Sequence, residues 1–123
     1  MSEPQLNLVV IRSADPERTA SFYRELGLTL VKHAHGTGPE HFACESGHAV
    51  FEIYPATKSA APTTGVRLGF RVADVDEACK RALAAGGSVV SAPAMSPWGR
   101  RAVINDVDGS RIELNEAANS ITK

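Results

Sequence analysis

The sequence predicts an α+β fold built as two tandem βαβββ modules whose curved mixed sheets surround a cleft. The first observation behind this is an internal repeat. Ile11-Arg12-Ser13-Ala14-Asp15 returns 59 residues later as Phe70-Arg71-Val72-Ala73-Asp74, and the same offset carries Gly27 onto Gly86. The second is that Phe51-Glu52-Ile53 returns as Ile112-Glu113-Leu114 at an offset of 61, so the halves differ by a two-residue insertion. Each half of such a duplication is one supersecondary unit that cannot bury its apolar face alone. The third is that both halves order their local signals alike: a β-branched run, a capped helical stretch, then three short strand-like runs.

The elements follow in order. Leu6 to Ser13 is apolar and β-branched, hence a strand. Asp15-Pro16 opens a helix, with a side-chain acceptor at the cap and proline in the first turn, where its missing N–H costs nothing. Thr19, Phe22, Tyr23 and Leu26 share one helical face, and Gly27 ends the helix. Strands are predicted over Leu28 to His33, Glu40 to Cys44 and Ala49 to Tyr54, with turns at His35-Gly36-Thr37-Gly38-Pro39 and Ser46-Gly47. The small, proline-bearing segment 56–64 reads as a linker between a module at 5–55 and a second at 65–117. The second module opens with a strand from Gly65 to Val72. Asp74-x-x-Glu77 reads as a capping box for a helix packing through Ala78, Cys79, Ala82 and Leu83, stopped by Gly86-Gly87. Strands follow at Ser88 to Ser91, Arg101 to Asn105 and Ser110 to Glu116, the last two joined by the turn Asp106-Val107-Asp108-Gly109. Ala117 to Lys123 reads as a frayed end.

Composition narrows the function classes. With 43% apolar and 22% charged residues, the 123-residue chain has the make-up of one globular domain. A formal net charge of −1 gives no electrostatic case for nucleic acid. No apolar run approaches the roughly 20 residues that span a bilayer, and Met1-Ser2-Glu3-Pro4 lacks the basic-then-apolar order of a secretion signal. Cys44 and Cys79 are too few for a disulfide framework or zinc site. The expectation is a cytoplasmic protein with reduced thiols.

Period-two alternation then sorts the strand faces. Phe51 and Ile53, and likewise Ile112 and Leu114, face a helix, so Glu52 and Glu113 face away. In the first strand of each module Leu8, Val10 and Arg12, and Arg67, Gly69 and Arg71, share that opposite face. If the sheets curl toward each other, these faces line a pocket. Trp98, the only tryptophan, sits in Ser96-Pro97-Trp98-Gly99-Arg100 at its expected mouth, where it could stack on a flat ligand. The spacing of His33, His35, His41 and His48 does not match a closed zinc site, and only His41 lies on a strand that reaches the cavity. Phe22, Tyr23 and Cys79 read as packing.

Two βαβββ modules, the segment Asp15, Phe22-Tyr23-Arg24, Leu26-Gly27, and the late segment Asp106 to Leu114 together resemble the vicinal oxygen chelate superfamily over about Leu6 to Glu116. That superfamily includes glyoxalase I, fosfomycin-resistance transferases, extradiol dioxygenases and bleomycin-resistance proteins. The resemblance implies four metal positions, which fall here on Leu8, Glu52, Arg67 and Glu113. Leucine offers no electron pair, and a guanidinium stays protonated and repels a divalent cation. The departure points to the metal-free branch resembling bleomycin-resistance proteins: homodimers that sequester a ligand in a cleft completed by the partner chain. The leading expectation is therefore a metal-independent, homodimeric small-molecule binder with no cofactor and ligand-binding residues Leu8, His41, Glu52, Arg67, Trp98 and Glu113. Its ligand would be an antibiotic or a planar metabolite, cationic because two carboxylates face inward. The alternative is a metal-dependent lyase or isomerase of glyoxalase type, with one divalent ion, Glu52 or Glu113 as general base and His41 helping to hold the metal. A structural alternative reads Glu113 with Arg67 as an ion pair left where a metal once sat.

Overall fold

The repeat shows first in the helices. In a computed structural model, which describes residues 2–116, helix α1 spans Pro16–Glu25 and helix α2 spans Val75–Ala84, at the same 59-residue offset. The segment read as frayed, 117–123, lies outside the described residues. Asp15 Oδ1 accepts from the Arg18 amide at 3.2 Å, and Asp74 Oδ1 from the Glu77 amide at 3.0 Å. Each bond satisfies one of the amides that a first turn leaves unpaired. We expect Asp15→Ala to lower stability by about 1 kcal/mol, read as a lower urea midpoint at constant m-value. The capping box is half made, because the Glu77 carboxylate turns instead to Arg81 at 3.4 Å. Gly27 and Gly86 follow the helices with φ of 109° and 103°, a backbone region that side chains disfavour.

The chain divides into two compact units, Met1–Thr63 and Thr64–Lys123, each with one helix and one four-stranded sheet. In the first, β1 (Leu8–Ser13), β2 (Val31–His33), β3 (His41–Ser46) and β4 (Ala49–Pro55) lie in the order β1-β4-β3-β2. In the second, β5 (Arg67–Val72), β6 (Ser88–Ser96), β7 (Gly99–Asn105) and β8 (Arg111–Glu116) lie in the order β5-β8-β7-β6. Only β1/β4 and β5/β8 pair in parallel, so both sheets are mixed. The division falls inside the 56–64 segment, whose end is tied to β1. The Thr63 amide donates to the Arg12 carbonyl at 3.0 Å, and the Arg12 amide to Thr63 Oγ1 at 2.7 Å.

Two strands depart from their expected bounds. β2 begins at Val31, not Leu28: the Leu28 amide is taken by the Tyr23 carbonyl at 3.1 Å, and Leu30 sinks into the core. β6 continues through Pro93 to Ser96. It is an edge strand, and its register against β7 shifts between Val89 and Ser91 and again between Ser91 and Ala94. A proline that cannot donate is tolerated at such a bulged edge.

Both cores sit between a helix and one sheet face. In the first unit Phe22 and Tyr23 are fully buried with Ile11, Phe42, Phe51 and Ile53. Tyr23 meets Phe22 and Phe51 edge-on, with ring centroids 5.2 and 5.1 Å apart. The second core is built from smaller parts, Val75, Ala78, Cys79 and Ala82 against Ala102, Ile104, Ile112 and Leu114. Leu83, expected in this core, is 50% exposed because it lies beside the stripe formed by Val75, Cys79 and Ala82. Cys44 and Cys79 are free and buried, and burial pushes both thiols up, away from the reactive thiolate form.

Candidate functional site

Each sheet has a face turned away from its helix, and the strand registers lay that face out as a grid. In the first unit Leu8 lies beside Val50 and Glu45, and Val10 lies beside Glu52 and Ala43. Arg12 lies beside Tyr54, which stacks on His41 with centroids 4.3 Å apart and planes 6° from parallel. In the second unit Arg67 lies beside Arg111 and Asn105, and Gly69 beside Glu113 and Val103. Arg71 then lies beside Asn115 and Arg101. A glutamate occupies the centre of each grid, as the repeat and the alternation predict. The cross-strand neighbours are new, because antiparallel register is set by turn length. Four residues (46–49) join Glu45 to Val50, whereas five (106–110) join Asn105 to Arg111, which accounts for part of the insertion.

The two central glutamates stand in different surroundings. Glu113 Oε1 accepts from Arg101 Nη2 at 2.6 Å and from Arg67 Nη2 at 3.1 Å. The Arg101 hydrogen bond, supplemented by Arg67, holds the Glu113 carboxyl below the usual carboxylate range against the opposing effect of desolvation. Glu52 instead faces buried His41, whose Nε2 lies 3.7 Å from Oε2. That gap exceeds hydrogen-bond reach. His41 Nδ1 is 3.3 Å from the Pro39 carbonyl, which can only accept, so Nδ1 carries the proton and Nε2 is turned toward Glu52. Among the described residues no guanidinium is bonded to Glu52. His41 and Arg101 are repeat equivalents, each two residues before the strand partner of the central glutamate.

The other candidates separate by unit. Leu8 is 49% exposed and shares its face with Val10 and Val31, both also exposed; a shallow depression beside them is lined by Thr29, His33, Ala43 and Val50. Trp98 stands at the tip of the β6–β7 hairpin and is 60% exposed. The Ser96 hydroxyl braces that turn, donating to the Gly99 carbonyl at 2.6 Å and accepting from the Trp98 amide at 3.2 Å. The structure also gathers His33, His35 and His41, with ring centroids 5.3–6.0 Å apart. Sequence spacing missed this grouping, which depends on β2–β3 pairing and the 34–40 loop. It missed Arg101 as well. Alternation applied to β7 places Arg101 on the face of Glu113, but only register puts the two within bonding distance.

The donors implied by a metal-binding superfamily do not fit a divalent cation. In the first unit Leu8 contributes no lone pair. In the second Arg67 is itself bonded to Glu113, whose Oε1 is engaged by two guanidiniums. Among the described residues, the one group of three potential ligands with donor atoms mutually within 4.8 Å is Asp74, Asp76 and Glu116. Those acids serve the start of α2. Asp74 caps it, Glu116 Oε2 accepts from the Val75 amide at 3.0 Å, and Asp76 takes a bidentate pair from Arg100 at 2.7 and 3.0 Å. The expectation of a cationic ligand rested on two unengaged inward carboxylates. The neutralisation of Glu113 leaves that expectation with Glu52 alone.

Comparison with known proteins agrees with this architecture. The family described as Glyoxalase/Bleomycin resistance protein/Dioxygenase superfamily matches residues 5–114. An uncharacterized protein of Mycolicibacterium smegmatis is 35% identical over 111 residues, covering 89% of this chain and 91% of its own length. The crystal structure of TnmS3, an antibiotic binding protein from Streptomyces sp. CB03234, superposes with a TM-score of 0.74 at 26% identity, covering 96% of this chain and 99% of that one. A glyoxalase/bleomycin resistance protein from the same Streptomyces strain gives a TM-score of 0.68 at 28% identity, covering 90% and 99%. With its duplicated βαβββ units and a family match across most of its length, the chain belongs to the glyoxalase/bleomycin resistance protein/dioxygenase superfamily.

Proposed function

We propose that this protein binds a small, partly planar molecule without a metal ion, as a cytoplasmic homodimer that sequesters its ligand. One observation carries the reading: the Glu113 carboxylate is held by Arg67 and Arg101 while leucine stands at position 8, so three of the superfamily's four metal positions hold an ion pair and a side chain with no lone pair to give. The exposed indole of Trp98 supports a flat ligand, since stacking on an aromatic face adds about 0.5–1.5 kcal/mol beyond area burial. Likeness to an antibiotic-binding protein supports sequestration as the role. Exposed Leu8, Val10, Met95 and Trp98 supply apolar surface for a ligand or a second copy of the chain.

Calorimetric titration of chelator-treated protein against a panel of aromatic antibiotics and metabolites tests this. We expect micromolar or tighter binding that added zinc, nickel or manganese leaves unchanged. Binding that appears only when metal is restored would sink the proposal. A second reading, a lyase or isomerase of glyoxalase type, is favoured by Glu52, an ionisable carboxylate with a histidine nearby and, among the described residues, no bonded guanidinium. Turnover of a carbon acid that Glu52→Gln abolishes would establish it.

A further inference from the structure

The face of the second sheet turned away from α2 carries an unusual charge arrangement. Glu113 is the one acid on its grid, and Arg67, Arg71, Arg101 and Arg111 surround it, four guanidiniums against one carboxylate. Arg67 and Arg111 are direct cross-strand partners on one face, a placement in which like charges repel. Arg71 and Arg111 make no ion pair or side-chain hydrogen bond among the described residues. The equivalent positions of the first unit are Leu8, Arg12, His41 and Val50, so the excess is a property of the second unit and not of the repeat. The chain as a whole carries a formal charge of −1, so this is a local patch and not a basic protein.

The geometry favours capture of an anion. Glu113 engages Arg67 and Arg101 through one nitrogen each, on the same oxygen. A guanidinium has five N–H donors, so donors remain on both groups while the carboxylate holds them side by side. Between Arg67 and Arg71 on β5 stands Gly69. A Cβ built there would meet nothing closer than the Glu113 carbonyl at 4.0 Å, so the strand leaves room above it. Oxyanions accept paired N–H bonds from guanidinium in this kind of setting, and such charge-assisted bonds are the strong ones.

We propose that this face receives an anionic group of the small-molecule ligand, a carboxylate or a phosphate, gripped by Arg67 and Arg101 and drawn in by Arg71 and Arg111. The inference rests on the small-molecule reading above and specifies its ligand class. The patch is a few residues wide on a slightly acidic chain, which suits a single oxyanion better than a nucleic-acid backbone.

The test titrates chelator-treated full-length protein with phenyl phosphate, benzoate and benzylammonium at one fixed low ionic strength, following backbone amide shifts in β5, β7 and β8. We expect both anions to bind and benzylammonium to bind at least about tenfold more weakly; the stronger anion identifies phosphate or carboxylate as the group. Arg67→Gln and Arg111→Gln should each weaken anion binding by about tenfold or more. Among the described residues Arg111 is paired with no carboxylate, so its variant leaves the Glu113 network in place. Arg100→Gln, which removes the partner of Asp76 on the helix side, should leave binding unchanged. Equal affinity for benzylammonium and benzoate, anion binding unaffected by both variants, or no anion binding at millimolar concentration would each overturn the inference. If the same metal-free protein still takes up neutral or cationic aromatic compounds, the broader function stands without it.

Discussion

Replacing Tyr23 with alanine is expected to destabilise the first unit by about 3–5 kcal/mol, the range for removing a fully buried aromatic side chain. The ring is completely buried and packs edge-on against Phe22 and Phe51, so its loss opens a cavity beside two stiff aromatic rings that cannot collapse to fill it. The backbone contributes little to the effect. Alanine is the best helix former, and the repeat equivalent of Tyr23, Ala82, is itself alanine, fully buried in α2. Hydrogen exchange checks the assignment alongside denaturant unfolding. Protection should fall first in β3 and β4, which share the core of Tyr23, and less in β7 and β8, which pack under the other helix. A uniform loss in both units would show that the two cores unfold as one.

Much of the fold was legible because the same instructions occur twice. A capping aspartate fixes the start of each helix and a glycine with positive φ marks each end, so α1 and α2 fall 59 residues apart, as the repeat requires. Alternation in β4 and β8 placed Phe51, Ile53, Ile112 and Leu114 in the cores and turned Glu52 and Glu113 away. What the sequence hid depends on pairing between strands. Arg101 is 12 residues from Glu113 along the chain, and no local pattern brings its guanidinium onto that carboxylate. The gathering of His33, His35 and His41 depends on a loop whose path residue spacing does not encode. β6 runs past its expected end at Ser91 to Ser96, and it holds Pro93 because it is an edge strand, a place in the sheet that only pairing reveals. The engagement of Glu113 was hidden for the same reason: carboxylates can be counted in a sequence, but their partners cannot.

Glu113→Lys is expected to lower stability by about 2–3 kcal/mol at low salt, placing a fifth cation among Arg67, Arg71, Arg101 and Arg111. The figure is below that for breaking a fully buried pair because the Glu113 side chain is 31% exposed, and solvent screens part of the interaction. Screening also makes the effect diagnostic. Repulsion among partly exposed charges falls as ionic strength rises, so sodium chloride should restore part of the loss. Phosphate at equal ionic strength should restore more if the arginines hold an oxyanion. The pH dependence has a definite sign. The carboxyl of Glu113 is held below its ordinary value in the folded protein by Arg101 and Arg67. Its contribution is therefore complete above the unfolded carboxyl pKa and is lost as pH falls toward the lower folded value. Glu113→Gln removes this titration while keeping the shape of the side chain, so the gap in stability between wild type and this variant should narrow steadily on acidification below about pH 4.5. A gap that stays constant through that range would mean that Glu113 supports the sheet by packing alone, and the arginine cluster would then have some other counter-charge.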